Sequence, residues 1–277
     1  ATAITYTITY NLDGGSVSGN PTSYTVETET FTLKNPSKTG YTFAGWTGTN
    51  LSSASTSVTI AKGSTGNRTY TATWTLNTSK IVLGTLTNVD KVEYSTSLNG
   101  TYTQLTTSGF TANANQDYYF KATVSSESGY TITFTNFTGW FTDTSNPSGA
   151  HSFTDSGKTY TVNATASKTA NTYTIAFNAN NGSGTMSSIT ATYDQSITLP
   201  ANTFTRVGYN FANWNTVANG SGSTYADKAS VTNLATSGTV TLYAQWSEKS
   251  SNGVVVTANT LTYTGSAQNL VSVTNPN

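Results

Sequence analysis

From Ile4 to Tyr10 the chain reads Ile-Thr-Tyr-Thr-Ile-Thr-Tyr, a strict alternation of apolar and hydroxyl-bearing residues. The same period of two returns in Tyr70-Thr-Ala-Thr-Trp74. Successive side chains of a strand point to opposite faces, so each stretch predicts a half-buried strand with one aromatic and aliphatic face and one ladder of Thr hydroxyls. Asp13-Gly14-Gly15 and Asn180-Asn181-Gly182 follow strands of this kind, where a hairpin turn needs positive φ. The stretches Thr25 to Leu33 and Thr190 to Leu199 read as second strands that end near Pro36 and Pro200. Helix candidates are confined to Ser52 to Ser57 and Ala226 to Ser230.

These strands come in sets. Tyr6-Thr-Ile-Thr-Tyr10, Gly40-Tyr41-Thr-Phe43-Ala-Gly45-Trp46 and Tyr70-Thr-Ala72-Thr-Trp74 are followed much later, in the same order, by Tyr173-Thr-Ile-Ala-Phe177, Gly208-Tyr209-Asn-Phe211-Ala-Asn-Trp214 and Leu242-Tyr-Ala244-Gln-Trp246. Tyr6 maps onto Tyr173 and Trp46 onto Trp214 at offsets of 167 and 168, which makes the pattern a duplication. Between the copies, Gly129-Tyr130-Thr-Ile-Thr-Phe134, Gly139-Trp140 and Lys158 to Ala164 keep the order in a looser form, and we read them as a third, diverged copy. The predicted modules are 1–76, 77–170 and 171–248, joined by short linkers at Leu76 to Ser79 and Ala166 to Thr169. Residues 249–277 read as the start of a further β module or a connector strand, too short to bury a core and expected to continue past Asn277.

Composition sharpens this picture. Of 277 residues 60 are Thr, with 23 Gly, 17 Tyr and 11 Phe, a β-branched and aromatic mixture that suits pleated, half-buried strands. Charged residues make up 9%, against about 25% in ordinary soluble domains, so Thr hydroxyls must keep the surface wet. Leu and Ile are sparse, and aromatic rings must supply most of the buried apolar area. The fold class expected is therefore all-β or mainly β.

The same counts remove whole classes of chemistry. Cys is absent and His151 stands alone, which excludes disulfides, thiolate nucleophiles, Cys-ligated zinc and multi-His metal sites. Net charge is zero with no basic cluster, which argues against nucleic acid and anionic membrane surfaces, and no apolar run approaches the ~18 residues of a membrane helix. Asp143 or Asp155 could orient His151, yet no Gly-x-Ser-x-Gly elbow accompanies it, and a solvated loop histidine is the reading. The acids are scattered, no run resembles a calcium loop, and we assign no catalytic residue, metal or cofactor. Trp46, Trp214, Trp74 and Trp246 are read as core.

The aromatic-Thr-Ile-aromatic strand, the Gly-Tyr-x-Phe-x-x-Trp segment and the closing Ala-x-Trp together resemble the internalin-type B-repeat, or Listeria-Bacteroides repeat, over Tyr6 to Trp74 and Tyr173 to Trp246. The resemblance implies tandem β-grasp-like modules in an elongated array, placed outside the cell in secreted or cell-surface bacterial proteins, and it brings no catalytic residues. A stalk and adhesion segment is the first functional expectation, its partners being neighbouring modules and host or cell-surface proteins. A self-assembling filament or layer is the second, with other copies joined by strand addition through Leu261, Tyr263, Leu270 and Val271. Carbohydrate recognition is the third, with Trp140, Phe141, Tyr118 and Tyr119 offered to glycans.

Overall fold

The computed structural model describes residues 2–250, 255–258, 262, 264–267 and 271–274, the tail strands by their backbone alone. No helix occurs among the described residues. The first set comprises β1 (Tyr6–Asn11), β2 (Ser23–Tyr24), β3 (Phe31–Thr32), β4 (Tyr41–Gly48), β5 (Thr59–Ile60) and β6 (Arg68–Leu76). A middle set follows: β7 (Thr78–Thr87), β8 (Val89–Ser95), β9 (Thr103–Gln104), β10 (Phe110–Asn113), β11 (Tyr119–Val124), β12 (Tyr130–Gly139) and β13 (Thr159–Ala170). The late set is β14 (Thr172–Asn178), β15 (Ile189–Thr192), β16 (Ile197–Thr198), β17 (Tyr209–Asn215), β18 (Thr224–Tyr225), β19 (Ser230–Val231) and β20 (Thr239–Glu248), before a two-stranded ribbon of β21 (Val255–Ala258) and β22 (Val271–Thr274).

One topology recurs. The sheets run β2-β1-β6-β4, β10-β7-β13-β12 and β15-β14-β20-β17, the last carrying β18 at its edge. In each, the first and last long strands lie side by side and parallel, as in Ile8↔Arg68, Ile81↔Tyr160 and Ile175↔Val240. Parallel neighbours cannot be joined by a tight turn, so the rest of each set forms the crossover. The middle set adds a three-stranded sheet, β11-β8-β9.

Each set has its own core. Ile8, Trp46 and Tyr70 centre the first, Ile81, Phe120 and Phe137 the middle one, and Tyr173, Trp214 and Leu242 the late one. A bulge explains how Phe-x-x-Trp serves such a core. Residues three apart on a regular strand face opposite ways, but the register of β4 on β6 shifts between Phe43 and Gly45, and that of β17 on β20 between Phe211 and Asn213. The extra residue turns both rings to one side, and Phe43 meets Trp46 at 5.5 Å and Phe211 meets Trp214 at 4.9 Å between centroids.

Several expectations need correction. Of the two second strands, Thr25 to Leu33 keeps only β3, with β2 ending just before it, and Thr190 to Leu199 is broken into β15 and β16. In the first, Thr25 N–H donates to the Thr28 hydroxyl and Thr28 N–H to Thr25 O, a local turn that outcompetes the ladder. Ser52 to Ser57 and Ala226 to Ser230 form no helix; Ser55 instead pairs its backbone with Trp46. Asp13, Gly14, Asn180 and Asn181 take the positive φ expected of them. The linker placed at Ala166 to Thr169 lies inside β13.

By its contacts the chain divides into two compact units, residues 1–126 with 132–168, and residues 127–131 with 169–277.

Candidate functional site

The rings singled out in the middle segment have separate fates. Tyr118 is 3% exposed, stacks on Phe153 and receives a hydrogen bond from Asn113 N–H at 2.8 Å, so neither of its faces is open. Burial pushes its phenol up. Tyr119, next in line, projects from the opposite face of the strand and is half-buried. Trp140 is half-buried among Phe120, Phe141, His151, Phe153 and Tyr160. Phe141 lies flat on His151, with centroids 3.6 Å apart. Trp140, Phe141 and Tyr118 thus join one aromatic cluster, and Tyr119 stands apart from it.

Trp140 is not the counterpart of Trp46. Gly48 and Gly139 both have positive φ, and an added Cβ would lie 2.0 Å from Thr69 O or 2.3 Å from Thr161 O. Counting back two residues from each puts Phe137, fully buried, in the place of Trp46. Sequence reading missed this because it matched tryptophans rather than the Phe-x-x-aromatic spacing of Phe134 and Phe137.

His151 Nε2 lies 3.3 Å from Asp143 Oδ2, while Asp155 bonds Tyr160 instead. Asp143 also accepts backbone N–H bonds from Ser145 and Gly149 at 2.8 and 2.7 Å. The buried Ser148 hydroxyl accepts from Phe120 N–H and donates to Gly149 O, so it is not the partner of His151. This pair organises a loop. Among the described residues no group of three acids or histidines is placed to hold a metal.

A more regular arrangement sits where strand sets meet. Asn77 alone separates β6 from β7, and every polar group it owns is engaged. Its N–H donates to Gly40 O at 2.9 Å, its C=O accepts from Ala114 N–H at 2.9 Å, its side-chain oxygen accepts from the Thr42 hydroxyl at 2.6 Å, and its side-chain NH₂ donates to Thr154 O at 2.8 Å. Asn115 adds a bond from its side chain to Thr39 O at 3.0 Å. Within the second unit Asn171 repeats the set: its N–H donates to Gly129 O, its C=O accepts from Tyr193 N–H, and its side chain bonds Thr131 and Thr236 O at 2.6 and 3.2 Å. There Tyr130 donates to the Asp194 carboxylate, and that bond pushes its phenol up to about 12. Among the described residues Lys249 keeps the backbone bond, to Gly208 O at 2.8 Å.

The model of the Listeria-Bacteroides repeat domain matches residues 6–73 and 173–245, just over half of the chain. The chain belongs to the Listeria-Bacteroides repeat family. Its two Listeria-Bacteroides repeats are the first and late strand sets, and each match stops short of its asparagine or lysine joint. Repeats of this family occur in bacterial surface or extracellular proteins and are typically structural, non-catalytic modules. Among solved structures, the Bacillus anthracis TIE protein is similar at 9% identity and a TM-score of 0.36, with 88% of this chain and 50% of that one covered. The chain thus spans about half the length of that structure. No curated protein matches it.

Trp46 and Trp214 are fully buried in the two repeats, and their indole N–H groups find no partner among the described residues. Trp74 and Trp246 are only half-buried, less than expected of core residues, and cap the first turns by donating to Leu12 O and Ala179 O. Of the tail residues proposed for assembly, Val271 lies in β22, and Leu261, Tyr263 and Leu270 fall outside the described residues.

Proposed function

We propose that the chain is a non-catalytic stalk segment of an extracellular bacterial surface protein, built from modules at 1–76, 77–170 and 171–248. The observation that carries this reading is the recurring asparagine. All four polar groups of each one-residue joint are bonded, at Asn77 within the first unit and at Asn171 within the second, and the repetition marks a device rather than an accident of one loop. A binding head carried on such a segment would be held at a set distance from the cell. Small-angle scattering of the whole chain should give an elongated profile, and replacing both asparagines by Gly-Gly-Gly should broaden its distribution of distances. A compact profile for the unaltered chain overturns the stalk.

Assembly into filaments takes its support from the β21–β22 ribbon, which pairs only with itself among the described residues. On this second reading, electron microscopy should show polymers that vanish when the chain is truncated after Ser250. Polymers that persist, or none at all, count against it.

A further inference from the structure

Two concavities occupy equivalent places in the two repeats. Ser16 and Ser37, which line the first, exchange backbone hydrogen bonds at 2.9 Å; the matching bridge of the late repeat joins Ser183 and Thr205 at 2.7 and 3.0 Å, two residues outside the lining Thr185 and Thr203. Buried leucines, Leu33 and Leu199, whose N–H groups donate to Val58 O and Ala229 O, directly precede the lining residues Lys34 and Pro200. On this shared frame the lining differs in chemistry. The late concavity, about 290 Å³, includes Met186, Ile189, Pro200 and Ala201. Met186 and Ile189 also pack against the core, so packing accounts for them. The first, about 490 Å³, is lined by Ser16, Val17, Ser18, Lys34, Asn35 and Ser37, none of which belongs to the core of its repeat. Lys34 stands where the late repeat has Pro200.

Lys34 is set in position. Its N–H donates to the Asn20 side chain at 2.7 Å and its C=O accepts from the same side chain at 2.9 Å. Its ammonium reaches over Gly19, where a Cβ would come within 2.8 Å of Nζ. Lys38 and Lys62 of the same repeat pair with Asp13 and Glu29, whereas Lys34 forms no ion pair among the described residues. Asn35 is tethered through its nitrogen to Thr56 O at 2.9 Å, which leaves its side-chain oxygen as an acceptor.

A hydroxyl-lined hollow offers little hydrophobic gain, so whatever occupies it must replace the hydrogen bonds of water with its own. Bonds to a charged group are about twice as strong as neutral ones, and the unpaired cation selects a negative charge. We propose that this groove binds an acidic saccharide, its carboxylate on Lys34 and its hydroxyls on Ser16, Ser18, Ser37 and Asn35. The volume suits about one or two sugar rings. No aromatic ring lines the site, so specificity rests on the charge. This activity goes beyond the stalk and does not depend on it.

The test is amide NMR of the whole chain, titrated with sialyllactose, a hyaluronan tetrasaccharide, lactose and acetate. At least one acidic saccharide should produce saturable shifts confined to residues 16–18 and 34–37, with the groove of the late repeat unmoved. Lactose should bind about tenfold more weakly, as should the acid to Lys34→Gln, whereas Lys62→Gln should bind it as the unaltered chain does. The same spectra report whether each variant is folded. No saturable shift with either acid, shifts centred elsewhere, an unchanged Lys34→Gln, or acetate saturating the site at the same concentration would each overturn the proposal.

Discussion

Asp143 governs its loop through four hydrogen bonds rather than through chemistry. Burial alone would raise its carboxyl, but the backbone N–H groups of Ser145 and Gly149, with the Ser145 and His151 side chains, outweigh it and hold the carboxyl below the usual range. A carboxyl lowered in this way adds stability above its unfolded value and loses it as pH falls through the folded one. Acidification from about pH 6 to about pH 3, across the ordinary Asp value, should therefore lower the amide protection of Ser145 and Gly149. Asp143→Asn should remove most of that dependence. If both proteins lose protection equally, the carboxylate is not the cause. The sequence offered Asp143 and Asp155 as equal partners for His151, and nothing short of the fold separates them, because the choice rests on which loop folds back on Phe137.

Among the elements, the bulge of β4 is the most constrained. Gly45 has φ of +138°, and a Cβ there would lie 2.7 Å from Ser55 N. Gly45→Ala should cost about 1–3 kcal/mol, from backbone strain and this contact, in chemical denaturation followed at amides of the first repeat. Asn213, at the same step of β17, lacks positive φ, and Asn213→Ala should stay within about 0.5 kcal/mol. Similar costs at both sites would mean that the two bulges carry the same strain, contrary to this account. The spacing of Phe43 and Trp46 does contain the bulge: two core rings three residues apart on a strand demand an extra residue. Alternation placed β1 and β6 correctly, since a face buried on one side leaves a period of two. It failed for Thr25 to Leu33, where Thr hydroxyls that favour a strand also favour a turn.

At the scale of the whole molecule, duplication announced the two repeats through their aromatics, and the middle copy was blurred because Phe137 replaces tryptophan there. The joints were much harder to see. A lone asparagine carries no compositional signal, and its partners, Gly40, Thr42, Ala114 and Thr154, are scattered along the sequence. The groove of the first repeat was equally hidden, since residues 16–18 and 34–37 lie apart in the sequence and are joined by the Ser16–Ser37 bridge.

The parallel pairing of first and last strands bears on tension. In the first repeat the chain enters at the start of β1 and leaves at the end of β6, so the two points of attachment lie at opposite ends of neighbouring, parallel strands. Pulling on them slides β1 along β6, and the bonds between Ile8↔Arg68 and Asn11↔Thr71 share the load at once instead of opening one after another. The β7–β13 and β14–β20 pairs repeat the geometry. Without a single cysteine to cross-link it, each sheet meets a stretching force in shear, the direction in which a ladder of hydrogen bonds resists rupture best.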